Sequence, residues 1–289
     1  MKQIFIDFPI KQEIKDKSET CVMAMGFFDG VHLGHREIIK EARQIAARKK
    51  LKLAVMTFFP HPSSVIPKGT KVTHYLTTLE TKARIFENLG VDLMYVVEFN
   101  KQVAAIPHDQ FVNDYLCGLG VKHAIAGFDY KYGHRGKGDM EQLKIDSKGR
   151  FEVTTVSKLS KNEQKIGSTL LRGLLTEGKV EQMSEYLGRN YQIYGCMDGQ
   201  GKSVHIKYND ECFLPCSGTY EVTVYFQGIK AKGMCEVHSA NPPGELHVQL
   251  FREFLIGYGE AVVLEWNNFI ADFTAKEFHA QTNIMEAGL

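Results

Sequence analysis

Gly26-Phe27-Phe28-Asp29-Gly30-Val31-His32-Leu33-Gly34-His35 is the stretch on which the reading of this chain turns. It follows an apolar run at 21–26 (CVMAMG) and opens residues 34–50, where Ile38, Ala42, Ile45 and Ala46 recur on one helical face. The spacing predicts a buried strand turning into a helix. Gly26, Gly30 and Gly34 would let the backbone approach a bound phosphate closely. The helix start adds N–H groups and the positive end of the helix dipole. His32 and His35, three apart, share a face in the first turn. Two imidazoles on one phosphate would stabilise the charge that builds up as phosphorus passes through its transition state. Two other readings stay open. A histidine near a helix start is commonly a solvated cap. A zinc site would need a third ligand, and no other motif supplies one at useful spacing.

Working outward, the first 190 residues alternate strand-like and helix-like patterns. After 34–50 comes an apolar run at 53–59, cut off by Pro60. Helical patterns at 79–89 and 108–119 alternate with strand-like runs at 93–99, 121–126 and 151–156. Two further helices are expected at 168–175 and 180–187, joined across Gly178. This order argues for a doubly wound parallel α/β sheet, whose ligands bind past the carboxyl ends of the strands. Beyond about Arg189 the texture changes to short β-rich runs at 192–195, 204–208, 219–227, 229–237, 246–251 and 261–266. Gly199, Gly218, Gly228, Pro242 and Gly244 divide them, as in a small antiparallel barrel or sandwich. Residues 271–285 are expected to form a last helix.

Composition sets outer bounds. The chain has 289 residues, 44% hydrophobic and 24% charged, as soluble globular proteins do. Lys+Arg is 35 and Asp+Glu 34, so no global basic field favours nucleic acid. The first residues (MKQIFIDFPIKQEIKDKSE) are too short in apolar run and too charged for a leader or membrane span. Six cysteines lie at 21, 117, 196, 212, 216 and 235, with no CxxC among them. Unpaired thiols in a reducing cytoplasm are the expectation.

The segment 26–35 resembles the HxGH signature of the nucleotidylyltransferase superfamily. Its longer form, GFFDGVHLGH, is similar to the prokaryotic FAD synthetases, the adenylyltransferase half of bifunctional riboflavin kinase/FAD synthetase proteins. Further segments agree in order and spacing. Thr57-Phe58-Phe59-Pro60-His61-Pro62 resembles TFxPHP. Residues 76–84 (LTTLETKAR) and 90–92 (GVD) match the next block. Gly127-Phe128-Asp129-Tyr130-Lys131-Tyr132-Gly133 resembles GxDFxFG, with Gly138-Asp139 after it. Ile166-Gly167-Ser168-Thr169-Leu170-Leu171-Arg172 resembles ISSTxIR. The resemblance covers roughly residues 15–190.

It implies a transfer of AMP from ATP to FMN, giving FAD and pyrophosphate, with Mg2+ and with ATP and FMN as the small-molecule partners. His32, His35, Ser168, Thr169 and Arg172 would be catalytic. Gly26, Phe27, Asp29, Gly30, Gly34 and Lys165 would bind ATP, and Phe58, Pro60, Phe128 and Asp129 the flavin. No magnesium ligand is named. Read as residues, Phe58, Phe59 and Pro60 end a strand with an apolar wall suited to an isoalloxazine ring, though core strand ends look the same. Ser168, Thr169 and Arg172 combine hydroxyls, helix N–H groups and a guanidinium into an anion site, or are an ordinary cap with a solvated Arg. Gly167 stands in place of the first Ser of ISST. Lys165 stands where the family often has Arg, keeping the charge without the bidentate fork.

For residues 189–289 the resemblance implies a barrel of the riboflavin kinase type. Pro215, Gly218, Tyr220 and Val222 resemble PxxGVYAV. Glu245-Leu246-His247 resembles ExHL, whose Glu is the base, and Tyr258-Gly259-Glu260 echoes YGE. The GFPTAN run that seats nucleotide phosphates and metal is absent from 194–224 (YGCMDGQGKSVHIKYNDECFLPCSGTYEVTV). Residues 199–203 (GQGKS) imitate the tail of a phosphate-binding loop. Cys196 occupies the position of its first Gly, and VHIKY after it is strand-like, so a hairpin turn is expected.

The expectation is thus an FMN adenylyltransferase domain at 1–188 and an inactive kinase-like barrel at 189–289. It is cytoplasmic, with no nucleic-acid or membrane partner, and self-association is left open. The competing readings are a flavin-binding regulatory or storage protein and a transferase for another mononucleotide.

Overall fold

The apolar runs of the first half pair side by side in the computed structural model, which describes residues 1–66, 71–161, 164–238, 242–254 and 259–271. The chain divides into two compact units, Met1–Thr73 with Lys82–Ile166, and His74–Thr81 with Gly167–Leu289.

The first unit is an α/β layer structure. Strands β1 (Lys2–Ile6), β2 (Cys21–Met25), β3 (Lys52–Phe59), β4 (Leu93–Glu98), β5 (Val121–Gly127) and β6 (Glu152–Val156) form one sheet in the order β1-β4-β3-β2-β5-β6. Every pairing is parallel. All five residues of β2 are buried, which is why it reads as a continuous apolar run and not as an alternation. The helices are α1 (Gln12–Asp16), α2 (Leu33–Lys49), α3 (Leu79–Asn88, in this unit from Lys82 onward), α4 (Lys101–Ala105), α5 (His108–Phe111) and α6 (Met140–Ser147). A π-helical stretch, Val112–Cys117, continues α5. Helix α2 buries Ile38, Ile39, Ala42, Ile45 and Ala46, the stripe expected from the sequence with one residue added. Two short strands, β7 (Ser160–Lys161) and β8 (Gln164–Lys165), pair antiparallel.

Strand β2 is the switch point. The chain leaves it for β3 on one side, and β5 arrives on the other. Met25 is level with Met56 of β3 and Ala126 of β5, so the turns after all three strands open at one edge. That edge is where an open parallel sheet binds its ligands. Strand β1 was not assigned from the sequence. It adds to the far edge beside β4, Lys2 opposite Leu93, and of its five residues only Ile6 is buried.

The second unit holds α7 (Ser168–Thr176), α8 (Met183–Leu187) and a closed antiparallel barrel. Its strands are β9 (Tyr191–Tyr208), β10 (Gly218–Phe226), β11 (Ile229–Val237), β12 (Glu245–Phe254) and β13 (Glu260–Ala271), closing in the order β10-β11-β12-β9-β13. Strand β9 doubles back on itself. Its first arm pairs with β13 and its second with β12. A Cβ placed on Gly195 would lie 2.4 Å from the Lys207 carbonyl, and one on Gly199 would lie 3.2 Å from the Ser203 carbonyl. The 199–203 segment is therefore the hairpin turn expected of it, with Gly201 at φ 78°. Alternate residues of β13, Val262, Leu264 and Trp266, fill the barrel, and Trp266 meets the Tyr220 ring edge-on at 5.2 Å. The helix expected at 271–285 lies, beyond Ala271, outside the described residues.

Candidate active site

The turn after β2 is built from unusual backbone. Phe28 and Val31 are non-glycine residues at φ 58° and 43°, with Gly30 at φ 80° between them. Such left-handed conformations cost energy and are held only where packing dictates them. Here the Phe28 ring is the anchor. It is buried, and it contacts the His35 ring at 5.2 Å and the Phe86 ring at 5.6 Å. A Cβ on Gly26 would come within 3.0 Å of that ring, so Gly26 is needed for packing as well as for any ligand approach.

His32 is the N-cap of α2, and its Nδ1 accepts the His35 backbone N–H at 3.3 Å. An imidazole that accepts through Nδ1 carries its proton on Nε2 when neutral, so Nε2–H is left as a donor. The His32 and His35 rings stack, centroids 3.6 Å apart and planes 19° from parallel. Burial pushes the His32 pKa down to about 4, helped by the Lys165 charge and opposed by Asp129. His35 is held well below its ordinary value by burial, then by His32, Lys82 and Lys165. The pair is therefore neutral at pH 7, and the buried Nδ1 of His35 has no hydrogen-bond partner.

Around this pair stand other residues singled out in the sequence. Lys165 forms an ion pair with Asp129, and its Nζ lies 5.1 Å from the Phe128 ring centroid. Asp129 and Phe128 follow β5, while Lys165 belongs to β8. The Phe27 carbonyl accepts from the Thr57 hydroxyl at 2.9 Å and from Lys82 Nζ at 2.8 Å. The Phe27 ring meets His61 edge-on at 4.4 Å. Pro60 follows a cis peptide bond at the end of β3.

Phe58 lines a separate feature, a cavity of about 540 Å³ walled by Phe99, Phe111 and Tyr132 and carrying the cations Lys131 and Arg135. Its size and apolar walls suit a planar ring system, and cations suit a phosphate tail. Tyr132 is fixed from behind. Its hydroxyl donates to Asp146 Oδ2 at 2.7 Å, His108 Nδ1 lies 2.7 Å from the same oxygen, and Gln142 donates to Oδ1 at 2.8 Å. Burial raises the Asp146 pKa, but these hydrogen bonds outweigh it and hold the carboxyl below its ordinary value. Phe128 and Asp129, expected beside the flavin with Phe58, stand with Lys165 and not among the residues lining this cavity.

The first unit thus carries Gly26, Phe27, Asp29, Gly30, His32, Gly34, His35, Phe58, Pro60, Phe128, Asp129 and Lys165, and the second carries Ser168, Thr169 and Arg172. In the second unit Ser168 and Thr169 open α7 behind Gly167, an extended N-cap whose position offers no side-chain bond. Arg172 donates through Nη2 to the His74 carbonyl at 2.8 Å, and its guanidinium lies 4.9 Å from the Phe213 ring. Glu245 of the barrel has its Oε1 2.8 Å from His205 Nδ1. Among the described residues no group of three or more His, Cys, Asp or Glu is placed to hold a metal ion.

Comparison with known proteins decides the family. The model of the family described as FAD synthetase matches residues 14–170, more than half of the chain. The chain belongs to the FAD synthetase family. Relatives that carry the name bifunctional riboflavin kinase/FMN adenylyltransferase include proteins from two species matched over most of the chain. The Listeria monocytogenes protein is 40% identical over 286 residues, 93% of this chain and 90% of that one. The Bacillus subtilis protein is 38% identical over 281 residues, 92% of this chain and 89% of that one. A solved structure titled a macrolide-efflux protein from Streptococcus pneumoniae superposes with a TM-score of 0.85 at 26% identity, covering 99% of this chain and 97% of that one. Among the described residues of the present chain no helix is long and apolar enough to cross a membrane.

Sequence reasoning about this family member missed Lys82, Thr57 and Asp146 as parts of the site. Lys82 had a signal. It falls with Leu79, Ala83 and Phe86 on the i, i+3, i+4, i+7 stripe of α3, where a charged residue is out of place. Thr57 opens the 57–62 segment but its tie to the Phe27 carbonyl is distant in sequence, and Asp146, outside the matched segments, had no signal.

Proposed function

We propose that the chain is an FMN adenylyltransferase. An oxygen of the FMN phosphate attacks the α-phosphorus of ATP. The new P–O bond forms as the bond to the β-phosphate bridge breaks, giving FAD and pyrophosphate. The FMN phosphate is largely a dianion near neutral pH, its second pKa being about 6, so no strong base is required. The protein's contribution is positioning and charge stabilisation.

The observation that carries this reading is the stacked neutral pair His32 and His35 at the N-terminus of α2. His32 presents Nε2–H, and the backbone N–H groups of Leu33 and Gly34 precede that of His35 in the same turn. Together these are donors for the ATP phosphates. Asp29, Gly26, Phe27, Gly30, Gly34 and Lys165 line the nucleotide path. The Phe58 cavity takes the isoalloxazine; Pro60, Phe128 and Asp129, which do not line that cavity, are given a flavin role on the family resemblance alone. Ser168, Thr169 and Arg172 are given the leaving pyrophosphate on the family resemblance alone. Mg2+ belongs with the ATP, since it takes phosphate oxygens and water readily, and no protein ligand is assigned to it. All six cysteines are unpaired, which supports a reducing cytoplasm as the setting of the reaction.

In this reading residues 1–188 form the adenylyltransferase domain. Residues 189–289 form a kinase-like barrel that makes no FMN, because the run expected to seat ATP phosphates is replaced by Lys202-Ser203-Val204-His205. The test is direct. The chain is incubated with ATP, Mg2+ and FMN, and products are separated by chromatography. FAD with equimolar pyrophosphate is expected; unchanged FMN would refute the reading.

A further inference from the structure

We propose that Lys82 is a positioning residue for adenylyl transfer, holding the Phe27 carbonyl and through it the 26–35 turn on which His32 and His35 stand. The inference rests on the FMN adenylyltransferase reading and adds a residue to it.

Lys82 is 2% exposed, on the inward stripe of α3 between Ala83, Ile85 and Phe86, all of them buried. A Leu or Met would fill the same space without cost. Burying an ammonium is costly unless it is well paired, so the charge itself needs a reason. Its surroundings supply one. Nζ donates to the Phe27 carbonyl at 2.8 Å and lies 3.7 Å from the Phe27 ring centroid, a cation–π arrangement in a dry setting. Phe27 is therefore gripped at backbone and side chain by one residue.

The next residue, Phe28, is the first of the left-handed positions that make the turn. A turn of that kind relaxes unless the peptides at its entry are fixed. Thr57 Oγ1 donates to the same carbonyl at 2.9 Å from the opposite flank, β3. Two donors from two elements thus converge on one oxygen, immediately before the backbone that delivers His32 and His35. The buried charge also reaches the histidines. Lys82 is one of the cations that hold His35 neutral, while burial lowers the Lys82 pKa to about 8 against the pull of Asp29.

The experiment compares the full-length wild-type chain with Lys82→Met, which keeps the stem and removes the charge, and with Thr57→Val, which keeps the shape and removes the second donor. Three quantities are measured: kcat for FAD formation, Kd for FMN from quenching of flavin fluorescence, and Tm. A misplacement of catalytic groups by about 1 Å costs on the order of a hundredfold. Lys82→Met should therefore lower kcat by about 10- to 100-fold with Kd for FMN nearly unchanged, and Thr57→Val should lower kcat in the same direction by less. A Lys82→Met chain with wild-type kcat overturns the inference. If Lys82→Met fails to fold, Thr57→Val decides: reduced kcat at wild-type Tm supports the role, and full kcat overturns it. Absence of FAD with the wild-type chain would instead refute the proposed function, so the two failures are distinguishable.

Discussion

His32 accepts the backbone N–H of His35 while the two rings lie stacked 3.6 Å apart. His32 is therefore a helix cap as well as the proposed phosphate donor, and substitutions there have two effects to separate.

His32→Ala and His35→Ala should each lower kcat by about 10²–10³, the usual effect of losing one preorganised donor to a transition state. FMN binding should change far less. His32→Ala also loses a helix cap, worth about 1 kcal/mol. His32→Asn restores a capping acceptor, so it should recover Tm without recovering kcat. Steady-state kinetics beside thermal melts check this, and full activity in the alanine variants would remove the imidazoles from the mechanism.

The pKa of His32 sets a pH dependence of stability. Its folded value, about 4, lies below the reference 6.5. As pH falls through 6.5 the unfolded chain takes up a proton that the folded chain refuses, so folding is disfavoured progressively from 6.5 down to about 4. Above 6.5 both states are neutral at this site and the contribution is fully present. His35 acts in the same direction. Tm measured from pH 7 to pH 4 should fall less steeply in His32→Asn than in wild type; parallel curves would contradict the neutral assignment.

Gly167→Ser should leave FAD formation intact or raise it. Gly167 is in the extended region, at φ −168°, and a Cβ there would meet nothing within 4 Å. Serine at this N-cap should also gain a few tenths of a kcal/mol in helix stability. A folded variant with no activity would show that the glycine itself is required.

Riboflavin as the only flavin, with ATP and Mg2+, should give neither FMN nor FAD. Phosphoryl transfer to the ribityl hydroxyl needs a base, a phosphate cradle and a metal seat together. Glu245 Oε1 lies 2.8 Å from His205 Nδ1, and Lys202 and Ser203 belong to the hairpin arm of β9. Product analysis beside a bifunctional enzyme as positive control decides it, and stoichiometric FMN would show that the barrel binds ATP through other residues.

Much of this was legible in the sequence because it is local. The run at 21–26, its glycine turn and the apolar stripe of α2 specify strand, turn and helix within about 30 residues, and the barrel follows from alternation such as Val262, Leu264 and Trp266. What escaped was long-range. β1 gains its strand character only from lying beside β4. Asp146 matters through Tyr132 and His108, neither of which marks it in advance. The capping bond between His35 and His32 depends on a ring rotamer, which spacing does not reveal. Lys82 was the exception, a charge on an apolar stripe whose meaning needed the Phe27 carbonyl to be seen.

The passage of the chain between its two units bears on inheritance. Residues His74–Thr81 belong to the second unit although the first unit surrounds them in sequence. Tyr75 is stitched there, its N–H to the Glu211 carbonyl at 2.6 Å and its carbonyl to the Phe213 N–H at 2.8 Å. A stop codon near Arg189 would delete both partners and strip the cover from Tyr75, a buried residue. The barrel is thus not an appendage that a lineage could shed by a terminal deletion. These backbone bonds of Tyr75 hold whether or not the barrel ever binds a nucleotide.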